Sequence, residues 1–290
     1  MTVHSPDKLR DVPRVGVPGR HTAAGRLAAL AAAGALAAGC AGLLMDNPYP
    51  GAASTAAMLQ GYDAVNVLVA LALAAVVRPA RRGRMPAVLA QASLLAYLVY
   101  TYAYYLFGTG FGDLFLLHVL VFSAGAAGLA FTVRAIDLPL TGPAATGTRS
   151  RIAAALLAVL ATALAGMWVY FALDNAITGD VAGGSRLVET DTVVHLGIAL
   201  DLALLVPWYA TAAVLLWRHR PAGYPAAVIA LVSGLLHQLS YIVALPVQVA
   251  ADISGATAID PGEPAILLLY GTALALLLTG HRRRLKEVVR

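Results

Sequence analysis

The chain has 290 residues, of which 60% are hydrophobic and only 12% charged, with a mean hydropathy of +0.76. A single soluble core cannot hide that much apolar surface, so a water-soluble domain is excluded and a bilayer is the expected solvent. The net charge of +5 does not indicate nucleic acid, because the basic residues sit in short clusters between apolar runs and form no continuous basic face.

Residues 1–25 are polar and basic, carry Pro and Gly, and read as a disordered cytoplasmic tail. Apolar runs of the roughly 17–25 residues that a bilayer crossing needs follow near 26–45, 61–77, 86–107, 112–135, 151–173, 192–217, 223–249 and 264–280, the second and last being the shortest. The expected fold is all-α, a polytopic transmembrane helical bundle of about eight helices over residues 26–280, with a basic cytoplasmic tail at 281–290. The sole cysteine, Cys40, allows no intramolecular disulfide and no Cys-based metal cluster. Leu36-Ala37-Ala38-Gly39-Cys40 faintly resembles a lipoprotein cleavage box, but Ala37 stands where Leu is usual. A small residue inside the first helix is the better reading.

The charges segregate. Of the 20 Lys and Arg residues, 19 fall before the first run, in the even-to-odd turns (Arg78–Arg84, Arg134–Arg151, Arg218–Arg220) or after the last run, and only Arg186 falls on the other side. The opposite loops carry Asp46, Asp113, Asp174, Asp180, Glu189, Asp191, Asp252, Asp260 and Glu263. The positive-inside rule then predicts a plasma-membrane protein with both termini cytoplasmic. A wrong span count would scramble this segregation, so it supports the count too. Asp63 precedes Arg78 and Pro86 much as Asp201 precedes Arg218 and Pro225, and Arg26 and Arg151 each open an Ala/Leu-rich helix. A four-plus-four parallel repeat would explain this, although Ala/Leu-rich helices also look alike by chance.

Polar residues inside apolar spans are costly and are functional candidates by default. At 1.5 Å rise per residue, Asp63, Tyr100, His118, Asp201 and Tyr241 all lie roughly 21–25 Å above the cytoplasmic boundary, and His237 roughly 18 Å. Five groups from five spans at one level suggest a single polar cavity open to the outside; scattered structural polar groups are the bland alternative. Asp63, Asp201, His118 and His237 are the candidate catalytic residues. Asp201, short and deep, must find a hydrogen-bond partner or stay protonated. Asp63 shares a helix face with Asn66 and could pair with Asp201 across the bundle, or simply cap a helix. Candidate substrate-binding residues are Asn66, Tyr97, Tyr100, Trp168, Tyr170, His195 and Tyr241. Tyr97, Tyr100 and Tyr104 recur at helical spacing, and a tyrosine face suits an apolar or cationic ligand. Tyr104 and Tyr105 read as part of an interfacial aromatic belt.

His195 shares a face with Asp191, but no His-x-x-x-His or comparable spacing supports a metal or haem site. No Walker loop, dinucleotide fingerprint or nucleophile elbow is present. No cofactor and no metal are therefore expected; the expected partners are membrane lipids and a lipophilic small molecule.

Three stretches, Gln60-Gly61-Tyr62-Asp63, Tyr100-x-Tyr102-x-x-Tyr105-x-Phe107-Gly108, and Asp201-Leu202 with Pro207 and the Arg218-x-Arg220-Pro221-x-Gly223-Tyr224 turn, resemble a widespread group of uncharacterised prokaryotic multi-span membrane proteins. In that group a histidine tends to sit one turn before the aspartate; here Ile198 occupies that position, with His195 three residues earlier. The resemblance implies the architecture and singles out Asp63, Tyr100 and Asp201. It implies no activity. Three functions fit these residues. One is acid-initiated cyclisation or isomerisation of an isoprenoid-like lipophilic substrate. The others are proton-coupled carriage of a small molecule and a non-catalytic scaffold or ligand-binding subunit.

Overall fold

The computed structural model describes residues 18–141, 146–179 and 185–288. The long helices are α1 Pro18–Leu44, α2 Ala53–Arg81, α3 Met85–Phe107, α4 Phe115–Arg134, α5 Thr148–Thr178, α6 Asp191–Trp217, α7 Gly223–Ala250 and α8 Glu263–Val288. Seven are long and apolar enough to cross a membrane, and α8 contributes a shorter apolar stretch, Glu263–Thr279. Apolar sequence in lipid has no water to satisfy its backbone, so these segments close their hydrogen bonds internally as helices. The protein is therefore an all-α, multi-pass membrane protein.

The helices overrun the apolar stretches read from sequence. α2 starts at Ala53 and not near 61, so Asp63 sits well inside the helix and cannot be its N-cap. α1 reaches back to Pro18 and α8 continues to Val288, into both expected tails, and only residues 1–17 and 289–290 of those tails lie outside the described residues. Polar helix ends need no lipid, because water satisfies their outermost backbone groups. Cys40 lies half-buried within α1. Gly179 closes α5 in the left-handed conformation, φ 79°, its N–H on the Asn175 carbonyl.

The helices form two four-membered rings. α1 packs on α2 and α4, and α3 on the same two; α5 packs on α6 and α8, and α7 on the same two. Each ring has its own core, the first around Leu73, Leu95 and Tyr102, the second around Leu157, Leu216 and Leu231. The two rings share one neighbour pattern. The rings join through α7 against α2 and α3. Gly61 makes that approach possible, since a Cβ there would run into the Ala244 backbone of α7; small residues let membrane helices come this close.

α3 is the central helix. Its apolar window is 78% buried, against 22–44% for the other spanning windows. This corrects the belt assignment: Tyr104 and Tyr105 are both buried within the bundle. The 45–52, 108–114, 185–190 and 251–262 connections gather at one end, where Pro50 meets Gly112 and Gln248 reaches both Ser54 and Val188. The opposite end carries the arginine-rich turns.

Candidate functional site

Asp201 sits where α6 departs from α-helical geometry. Residues Asp201–Leu205 form one π-turn, in which the Val206 N–H reaches the Asp201 carbonyl five residues back. Pro207, which has no N–H to continue the ladder, follows two residues after the turn. Such π-bulges re-aim side chains and recur at functional sites. The Asp201 carboxylate is only 7% exposed and has two donors: the Tyr100 hydroxyl on Oδ1, and the Trp168 indole N–H on Oδ2 at 2.6 Å. Tyr100 thus reaches from α3 and Trp168 from α5. The Tyr100 and Tyr104 hydroxyls lie 3.3 Å apart.

Beside Asp201 lies a cavity of about 300 Å³, walled by α5, α6, α7 and α8, with Tyr62 and Tyr104 entering from the first ring. Its apolar walls include Leu160, Leu164, Met167 and Leu269, and its aromatic surface comes from Tyr104, Trp168, Tyr209 and Tyr270. Four carboxylates line it, Asp201, Glu189, Asp260 and Glu263, together with His237, and among the described residues no Lys or Arg does. Toward the end bearing residues 185–190, the Tyr241 hydroxyl donates to Asp260 Oδ2 at 2.7 Å and accepts the Arg186 N–H at 3.1 Å. Gln248 holds the 185–190 segment from both sides, accepting the Val188 N–H at 2.9 Å and donating to the Val188 carbonyl at 2.8 Å. Within that segment, burial pushes the Glu189 carboxyl up to about 7; Asp201 adds to the rise and a hydrogen bond from Ser185 opposes it. Glu263 accepts the Gln238 amide N–H on Oε1 at 2.9 Å, whereas its Oε2 is buried without a partner, as is Nδ1 of His237.

Asp63 belongs to a different cluster. It is fully buried, with Tyr49 donating to Oδ2 at 2.5 Å and Tyr105 to Oδ1 at 2.8 Å. Burial raises the Tyr49 hydroxyl far above its ordinary range, and the adjacent Asp63 reinforces this. Asn66 donates to the Tyr105 hydroxyl at 3.0 Å and accepts from Tyr97 at 2.9 Å, and Tyr97 in turn shares a 2.7 Å hydrogen bond with Ser240 of α7. The His118 ring packs on Tyr105, centroids 4.8 Å apart, and its Nε2 is buried without a partner. The space here is about 10 Å³, room for at most one water.

The structure thus divides what depth alone had grouped. Asp201, His237, Trp168 and Tyr241 line one cavity, with Tyr100 directly behind Asp201. Asp63, Asn66, Tyr97 and His118 lie in or toward the first ring, away from it. The single cavity shared by five spans is therefore replaced by two clusters, because each ring closes its own core, and Asp63 does not pair with Asp201. His195 and Tyr170 point outward, Tyr170 at 63% exposure. Tyr49, Glu189, Gln238, Asp260, Glu263 and Tyr209 were not singled out in the sequence. Tyr49 hides in a Pro-flanked loop, and the acids looked like ordinary outer-loop charges.

Among the described residues, no three His, Cys, Asp or Glu side chains converge as a metal site. Comparison with protein-family models gives no match, and neither curated proteins nor solved structures yield one.

Proposed function

We propose that this is a plasma-membrane carrier of a lipophilic amine, N-in and C-in, exchanging its cargo for protons at Asp201. The observation that carries this reading is the composition of the cavity wall: four carboxylates and several aromatic faces, with no Lys or Arg among the described residues. Such a wall attracts cations, through charge and through the negative faces of the rings. A buried carboxylate held only by neutral donors keeps its negative charge available to a ligand. When the cargo leaves, a proton takes its place, since an isolated buried carboxylate is costly. The orientation rests on the basic residues, 19 of 20 of which fall on the side assigned to the cytoplasm; the cavity then reaches toward the outer end.

The test is uptake in proteoliposomes with an imposed pH gradient, using N,N-dimethyloctylamine, octanol and octanoate as probes. Gradient-driven accumulation of the amine alone, lost in Asp201→Asn, is the expected result. Equal handling of all three, or a gradient-independent rate, would sink the proposal. A second reading is favoured by the aromatic walls. The same surface would stabilise a carbocation during acid-initiated cyclisation or isomerisation of an isoprenoid-like substrate. A hydrophobic product in lipid extracts of cells making wild-type protein, missing with Asp201→Asn, would decide for it.

A further inference from the structure

Asp201 and Glu263 occupy different walls of the cavity and share no partner. Asp201 is on α6 and is held by Tyr100 and Trp168; Glu263 opens α8 and is held by Gln238 of α7. The two acids differ in what remains unmet. Each oxygen of Asp201 already accepts a hydrogen bond from a neutral donor. Glu263 is 6% exposed, yet its Oε2 has none. A buried carboxylate oxygen left unpaired keeps the full cost of its lost hydration, and native proteins rarely tolerate it without cause. The positive end of the α8 dipole accommodates a negative charge at this position, but it supplies no donor to Oε2. A second orphan is Nδ1 of His237, a residue that lines the same cavity and adjoins Gln238 in sequence.

We infer that the cavity takes an α,ω-dication, a lipophilic diamine whose one ammonium faces Asp201 and whose other donates to Glu263 Oε2. This rests on the amine reading above and adds the second charge. A single ammonium at Asp201 leaves the Glu263 oxygen as it stands. A second ammonium supplies up to three N–H donors, neutralises the second buried charge and leaves the alkane between them against the apolar wall. A diol would supply donors without charge and would leave both carboxylates uncompensated.

The experiment is a binding titration by tryptophan fluorescence in nanodiscs, with n-alkylamines and α,ω-diaminoalkanes of four to twelve carbons and the matching diols. Wild-type protein is expected to bind one or two diamine lengths at least tenfold more tightly than the monoamine of equal length, and the diols no better than the monoamine. Glu263→Gln should erase that gain and weaken the monoamine far less than the diamine, while Asp201→Asn weakens both. Diamines no tighter than monoamines at every length would overturn the inference while leaving the amine reading intact, and this arm needs no variant to fold. A Glu263→Gln loss shared equally by monoamine and diamine would also overturn it. Monoamine binding indifferent to Asp201→Asn would remove the amine reading and this inference with it.

Discussion

The most informative perturbation is Asp201→Asn, because its structural cost and its functional cost separate. Asp201 receives the Tyr100 hydroxyl on one oxygen and the Trp168 indole on the other. An asparagine keeps both contacts if its oxygen takes the Trp168 N–H, which can only donate, and its NH₂ faces Tyr100, whose hydroxyl turns to donate to Tyr104. The loss is then the difference between charge-assisted and neutral hydrogen bonds, roughly 1–2 kcal/mol. The loss in cation binding is larger. A unit pair about 4 Å apart in an effective dielectric of about 20 is worth about 4 kcal/mol, which is roughly a thousandfold in Kd. The assay is isothermal titration of octyltrimethylammonium into protein in nanodiscs at pH 7.5, with thermal melting run alongside. The expected outcome is a melting point lowered by a few degrees and an affinity weakened by two to three orders of magnitude. A melting change of this size with an affinity within threefold of wild type would refute the assignment of Asp201 as the counter-charge.

Asp63→Ala strips the acceptor from Tyr49 and leaves the Tyr105 hydroxyl with the Leu59 carbonyl alone, in a fully buried setting, and should cost about 2–4 kcal/mol of stability. In the fraction that stays folded, amine affinity should hold, because Asp63 lies outside the cavity; melting and titration on one sample check both. Gly61→Val puts a Cβ into the Ala244 backbone and should destabilise by about 1–3 kcal/mol or more by forcing α2 from α7, read as a lower melting point and earlier proteolysis of the α6–α7 turn. Glu189, which faces Asp201, Tyr62, Tyr104 and Ser185, has its carboxyl raised to about 7. It is neutral well below that pH and gains charge as pH rises through it. Octyltrimethylammonium, whose own charge is fixed, should therefore bind more tightly at pH 8 than at pH 6, and Glu189→Gln should flatten that rise.

The architecture was legible because lipid imposes it. Spans need length and apolarity, and the segregation of Arg78–Arg84 and Arg218–Arg220 from Asp113 and Asp252 fixes which turns share an end. Asp201 was legible for a related reason: a short acid deep in an apolar run has to be explained. What depth cannot supply is azimuth. Asp63 and Asp201 stand at one level in different rings, and Tyr97 and Tyr100, one turn apart on α3, serve different aspartates' surroundings, Tyr97 through Asn66 and Tyr100 directly. Glu263 was hidden because an acid at the edge of an apolar run looks solvated until the neighbouring α7 is placed against it.

The two rings explain why one aspartate lines a cavity and the other does not. In both, an acid on the second helix of the ring takes a hydrogen bond from a tyrosine of α3, Tyr105 for Asp63 and Tyr100 for Asp201. The second donor differs. For Asp63 it is Tyr49, from the α1–α2 connection, whose ring packs edge-on to Tyr105 and stacks on His118, filling the space beside the acid. For Asp201 it is Trp168, from the wall helix α5, which leaves the ring interior open. The connection that corresponds to the Tyr49 loop is the segment between α5 and α6, and Gln248 ties its Val188 to the end of α7 while it contributes Glu189 to the cavity wall. The Asp63 cluster is thus a sealed structural core and the Asp201 cluster borders a lined chamber, the difference lying in the placement of one aromatic side chain. This is why the Asp63 cluster should report on stability and the Asp201 cluster on ligand.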